Sequence, residues 1–145
     1  MTAVIHIIGA RMGDDIFTTD PSVFGREITW NVTRLRQSAE DGWFGAPEIL
    51  PMGILPPMSD VAQQNIDWRR VDWMLANCVE DGQPRGVLLE PSINVAVRIG
   101  GVLHRIPVDG NHRICARRLL GLQQWASYVV PPEAEGSFRV LEVRR

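Results

Sequence analysis

The sequence predicts a single α/β (α+β) domain in which flanking helices cover a small mixed sheet. Short apolar segments typical of strands alternate with segments of helical periodicity, and glycine or proline stands at most of the boundaries. The chain has 145 residues and 45% hydrophobic content, which suffices for one buried core. We therefore expect residues 1–145 to form one domain.

The first half of the chain alternates between predicted strands and predicted helices. We expect strands over residues 4–8 and 48–55, and helices over residues 33–41 and 68–80. Residues 14–25 are expected to form a loop. Gly42 ends the first helix, and Pro56 ends the second strand. Asn65 or Asp67 is a suitable cap for the second helix, with Gly82 after its end.

The second half is predicted to contain a hairpin, a helix and a further strand. The two strands of the hairpin cover residues 93–99 and 102–108, the helix covers residues 111–120 and the further strand covers residues 125–130. Gly100 and Gly101 form a two-residue hairpin signal, and Gly121 is placed to end the helix. Pro107 cannot donate a hydrogen bond to a neighbouring strand, so it indicates an edge position or a bulge.

The junction between the hairpin and its helix is the most informative segment. Gly110 tolerates backbone angles closed to other residues, and Asp109 or Asn111 is a suitable helix cap. The first amides of the helix would then point toward the turn, while Arg113 and Arg117 share one helical face. This pattern predicts a phosphate-binding turn. The alternative is an ordinary strand, turn and helix with solvated arginines.

Two side chains of this turn are candidates for chemistry. His112 lies in the first helical turn and is suited to phosphate binding or to acid–base catalysis. Asp109 is the carboxylate nearest the turn and is the candidate proton acceptor or Mg²⁺ ligand. The alternatives are a histidine bonded only to water and an aspartate that serves only as a cap.

The segment from Asp109 to Leu122 resembles the signature of the ParB/sulfiredoxin superfamily, whose members carry Asp-Gly-x-His-Arg at this turn. Residues 47–55 resemble the family's opening strand, and residues 80–89 resemble its helix end, Gly-x-x-Pro turn and second strand. The resemblance covers residues 27–133, as in small stand-alone ParB-like proteins, and leaves residues 1–26 as an N-terminal extension. Asn111 replaces both the sulfiredoxin cysteine and the glutamate of Gly-Glu-Arg-Arg. This departure argues against sulfiredoxin activity and against the CTP switch of partition proteins.

The resemblance implies a domain that binds nucleoside phosphates. Its expected activity is that of an NTPase or a Mg²⁺-assisted nuclease in plasmid or phage DNA maintenance, with ATP or CTP as ligand or substrate. Glu48 lies on the strand that borders the family's pocket and would supply a second carboxylate. The alternatives are a small-molecule phosphotransferase of the same fold and a non-catalytic interaction or inhibitor module.

The charged residues exclude several classes of enzyme. All 15 basic residues are arginine, so a Walker-A lysine, a kinase strand lysine and a Schiff-base lysine are excluded. The net charge of −2 argues against strong nucleic-acid binding. Arginines are nevertheless concentrated in one part of the chain, where we expect weak, non-specific contact with a DNA backbone: Arg98, Arg105, Arg117 and Arg118. The alternative is a solvated surface.

The cysteines and the apolar N-terminal run indicate the compartment. Cys78 and Cys115 lie within helical patterns without metal-ligand spacing, as expected of buried thiols in a reducing environment. The apolar run over residues 3–10 is too short to span a bilayer and lacks a basic region before it. We therefore expect a cytoplasmic protein with no membrane partner.

Overall fold

A four-stranded mixed sheet with helices on both faces lies at the centre of the protein, as the sequence predicts. The computed structural model describes residues 5–54 and 66–144. Its strands are β1 (Ile5–Ile8), β2 (Ile16–Thr18), β3 (Thr29–Asn31), β4 (Glu48–Pro51), β5 (Val79–Glu80), β6 (Gln83–Pro84), β7 (Ser92–Ile99), β8 (Val102–Asp109), β9 (Gln124–Val130) and β10 (Leu141–Arg144). Its α-helices are α1 (Pro21–Phe24), α2 (Val32–Glu40), α3 (Trp68–Asn77), α4 (Asn111–Leu119) and α5 (Pro132–Glu135).

The strand order in the central sheet is β4, β9, β7, β8. Strands β7 and β8 form the predicted hairpin around Gly100 and Gly101, β9 runs parallel to β7, and β4 is antiparallel to β9. Pro107 lies on β8, which is an edge strand, and the register shifts between Ile93 and Asn94. The expectation of an edge position or a bulge is therefore confirmed. Three further antiparallel pairs join β1 to β10, β2 to β3 and β5 to β6.

The main core packs one face of this sheet against α2 and β3. Alternate residues of β7 and β8 point to the same side, and Val95, which pairs with Ile106, is fully buried there. Trp30 and Leu35 cover them from the opposite layer. This burial fixes α2 beside the end of β8, where the predicted site residues lie.

The other face of the sheet carries α3 and α4. Val71 and Met74 of α3 pack against Cys115 and Ala116 of α4 in a second apolar cluster. Trp125 of β9 packs on Ile114, which attaches α4 to the sheet. The N-terminus of α4 is therefore held between a rigid strand and a packed helix.

Helix α3 is shorter than predicted. The expected N-cap is confirmed, because the Asp67 carboxylate accepts a hydrogen bond from the amide of Arg69 at 3.1 Å. The helix ends at Asn77, however, and the chain turns through Asp81 and Gly82, which both have positive φ. These two residues form the β5–β6 hairpin, so Gly82 is a hairpin residue and the prediction that it ends the helix is wrong.

Short elements near the ends of the chain were not expected from the sequence. Residues 14–25, predicted as a loop, contain β2 and α1, and β10 pairs with β1. The predicted strand over 48–55 ends at Pro51 and continues as a 3₁₀ turn over Met52–Ile54. Asn65 and Pro56 lie outside the described residues.

Two further expectations concern the cysteines and the membrane. Cys78 and Cys115 are both buried thiols without a disulfide, as predicted. No helix among the described residues has the length and apolar character needed to cross a membrane.

Candidate functional site

Gly110 forms a tight turn between β8 and α4. Its backbone angles are φ 84° and ψ 19°, in the left-handed region that favours glycine. A Cβ at this position would lie 2.5 Å from Ser92 Oγ and 2.7 Å from Arg113 Nη2. Only glycine therefore fits the turn, which brings the start of α4 directly against the first residue of β7.

The N-terminus of α4 has no side-chain cap. The prediction that Asp109 or Asn111 caps it is wrong, because both side chains have other partners. Asn111 donates from Nδ2 to the carbonyl of Pro107 at 3.0 Å, and the Asp109 carboxylate accepts from Arg36. The amides of the first turn thus have no side-chain acceptor among the described residues, which leaves a helix terminus suited to an anion.

This terminus opens into a large cleft. The cleft has a volume of about 1020 Å³, at the upper end of the range found for small-molecule sites. The turn residues from Asp109 to Arg113 form one wall, and side chains from β2, α2, α3 and the end of β8 form the others. Its charged and titratable lining residues are Asp15, Arg36, Glu40, Arg70, Glu90, Asp109, His112, Arg113 and Tyr128.

Arg36 is the centre of an ion-pair network in the cleft. Its Nε and Nη2 donate to the two carboxylate oxygens of Asp109 at 3.1 and 2.9 Å, and its Nη1 donates to Asp15 at 2.6 Å. The hydrogen bond with Asp109 is the main cause that raises the pKa of Arg36 above its ordinary value, although burial lowers it. Arg36 therefore stays charged and compensates the negative charge of Asp109.

The partners of Asp109 bear on its predicted chemistry. Both of its oxygens accept from Arg36, and Arg113 Nη2 lies 3.9 Å from Oδ2. The described residues contain no group of three or more His, Cys, Asp or Glu side chains placed to hold a metal ion. The catalytic and Mg²⁺ roles of Asp109 stay predictions.

His112 links the starts of two helices. Its Nε2 accepts a hydrogen bond from the backbone amide of Asp67, the N-cap of α3, at 3.0 Å. An accepting Nε2 requires the neutral ring with its proton on Nδ1. Burial is the main cause that lowers the pKa of His112, and the charges of Arg70 and Arg113 lower it further against the opposing effect of Asp67. His112 is therefore neutral at pH 7.

Arg70 is a cleft residue that sequence reasoning missed. It lies in the first turn of α3, is exposed, and has no carboxylate partner among the described residues, whereas Arg36 and Arg113 each have at least one. Its charge reaches the turn, since it acts on His112. The signal in the sequence that pointed to Arg70 was its position in the first turn of α3, where the helix dipole opposes a cation.

The remaining predicted phosphate ligands differ in position. Arg113 lines the cleft, where its Nη1 donates to Glu90 at 3.0 Å and its Nη2 to the carbonyl of Pro91 at 3.3 Å. Arg117 is not among the residues that line the cleft. It donates to the backbone carbonyls of Leu88 and Gln124 at 3.0 and 2.8 Å, and so connects α4 to two neighbouring segments.

Glu48 and the predicted DNA-binding arginines lie away from the cleft walls. Glu48 is exposed on the edge strand β4 and does not line the cleft. Arg98 and Arg105 share one face of the β7–β8 hairpin, because Ala96 pairs with Arg105. Arg118 lies in the last turn of α4. Contact of these arginines with a DNA backbone stays a prediction.

No protein-family model matches the chain, and no curated protein sequence matches it. The chain is similar to the crystal structure of sulfiredoxin from Arabidopsis thaliana, with 18% sequence identity and a TM-score of 0.38. The similarity covers 59% of this chain and 86% of that chain. The family assignment made from the Asp109 to Leu122 segment therefore stays a prediction.

The lowered pKa of His112 predicts an acid-sensitive fold. As pH falls through the unfolded-state value of about 6.5, the unfolded chain takes up a proton that the folded chain does not, so the free energy of unfolding falls. The loss is complete below the folded-state pKa. His112→Gln keeps an acceptor for the Asp67 amide without titrating in this range. Urea denaturation between pH 8 and pH 5.5 should show a smaller decline for His112→Gln than for the native protein, and parallel profiles would contradict the placement of His112.

Proposed function

We propose that the protein binds the phosphate groups of a nucleoside polyphosphate, ATP or CTP, at the N-terminus of α4. The observation that carries the proposal is the uncapped start of this nine-residue helix at the wall of a 1020 Å³ cleft. Free backbone amides and the positive end of the helix dipole together favour an anion there. The volume of the cleft is ample for a nucleotide.

Three side chains complete the binding chemistry. Arg70 supplies a positive charge that forms no ion pair with a described carboxylate. His112 supplies an Nδ1–H donor, because its Nε2 is engaged by Asp67. Arg113 is held by Glu90 and Pro91, so its guanidinium is already oriented before a ligand arrives.

The cleft carboxylates do not fit a Mg²⁺ ion held by the protein. Three of the four, Asp15, Glu90 and Asp109, are paired with arginine. An NTPase or a Mg²⁺-assisted nuclease, as expected from the sequence, would need Asp109 to leave Arg36. We therefore restrict the proposal to nucleotide binding and derive no catalytic step from a metal.

Arg70 and Arg69 provide a matched test. Arg70 lines the cleft and Arg69, its exposed neighbour on α3, does not. Arg70→Gln removes a charge-assisted contact and should raise the Kd for ATP or CTP about tenfold, while Arg69→Gln should change it less than about twofold. Calorimetry at constant ionic strength, with and without Mg²⁺, measures both values.

Two outcomes of this experiment would contradict the proposal. If the native protein binds neither nucleotide nor pyrophosphate, the site is not a phosphate site, and the interaction-module alternative is favoured. If Arg70→Gln and Arg69→Gln weaken binding equally, the nucleotide is attracted by general surface charge and is not held in the cleft.

The ion pair between Arg36 and Asp109 yields a second test. Arg36→Gln leaves the Asp109 carboxylate uncompensated beside the proposed phosphate position, so pyrophosphate should bind about tenfold more weakly. Adding Asp109→Asn removes the repelling charge and should restore most of the affinity. If the double variant binds no better than Arg36→Gln, compensation of Asp109 is not what Arg36 contributes.

A further inference from the structure

A second pocket shares part of its wall with the cleft, and we call it the small pocket. Its volume is about 230 Å³, and it shares Arg113 and Glu90 with the cleft. Ile49 of β4, Leu88 and Trp125 give it apolar walls, while Ser92 and Arg117 add polar ones. The other residues that line this pocket are not part of the proposed phosphate site in the cleft.

The small pocket carries an excess of positive charge. Arg113 is paired with Glu90 at 3.0 Å, but Arg117 binds backbone carbonyls and has no carboxylate within ion-pair distance among the described residues. Burial lowers the pKa of Arg117, as expected for a cation that has lost water without gaining an anion. An anion in the pocket would therefore be stabilised.

Two residues of the pocket wall also have buried donors without a partner. Arg113 Nε and Trp125 Nε1 are buried from solvent and donate no hydrogen bond to the described residues, and Trp125 as a whole is 1% exposed. Both atoms are donors only, and buried polar groups are nearly always hydrogen-bonded. A ligand with acceptor oxygens is thus the chemical complement of this wall.

We propose that the small pocket binds a small organic carboxylate. The carboxylate lies against the guanidinium groups of Arg117 and Arg113, and its oxygens are acceptors of the kind that the unpartnered donors of Arg113 and Trp125 lack. The apolar part of the ligand packs against Ile49 and Leu88. The two sites share Arg113, but Ile49 lines only the small pocket, so variants of Ile49 separate a failure of this proposal from a failure of nucleotide binding.

Ile49 allows a test that spares the fold. It is 66% exposed on the edge strand β4, so polar substitutions cost little stability. Ile49→Glu places a negative charge at the pocket, and Ile49→Gln is the neutral control of the same size. The probe is sodium propionate, with sodium chloride at equal ionic strength as the reference titration.

The readout is the indole N–H resonance of Trp125, assigned with Trp125→Phe. We expect a saturable shift with propionate that chloride does not produce, a Kd raised about fivefold or more by Ile49→Glu, and a change below about twofold for Ile49→Gln. ATP binding should be equal in both variants. A linear shift, a shift matched by chloride, or equal propionate affinity of the two variants would overturn the proposal.

Discussion

The two-point contact between Arg36 and Asp109 is the interaction on which the arrangement of the site depends. It joins α2, in the first third of the chain, to the last residue of β8, across a separation of 73 residues. The same guanidinium reaches Asp15 beside β2, so one side chain fixes three parts of the cleft wall. Because this contact engages the Asp109 carboxylate, the start of α4 is left without a cap.

The ion pairs of the cleft favour binding over metal chemistry. Three of its four acidic side chains are paired with Arg36 or Arg113, while Arg70 has no carboxylate partner among the described residues. His112 is kept neutral by burial and by the neighbouring arginines, and its proton lies on Nδ1. An available cation beside free backbone amides at a helix N-terminus is complementary to a phosphate group.

Local signals in the sequence predicted the elements of the site. Contacts between residues distant in sequence determined which side chains of the site pair with each other. The hairpin at Gly100 and Gly101 and the left-handed Gly110 each depend on a single turn, so composition and spacing were enough. The cap was predicted wrongly because Asp109 finds Arg36 only in the folded chain. Arg70 was missed for the same reason, since nothing within α3 indicates that α4 packs beside it.

Binding of phosphate by the first amides of α4 is tested directly by a titration of the ¹⁵N-labelled protein with pyrophosphate at constant ionic strength. We expect the backbone amide resonances of Gly110, Asn111, His112 and Arg113 to show the largest saturable shifts, while those of Arg98 and Arg105 move little. Largest shifts on the β7–β8 hairpin, or shifts that vanish when ionic strength is matched, would contradict it.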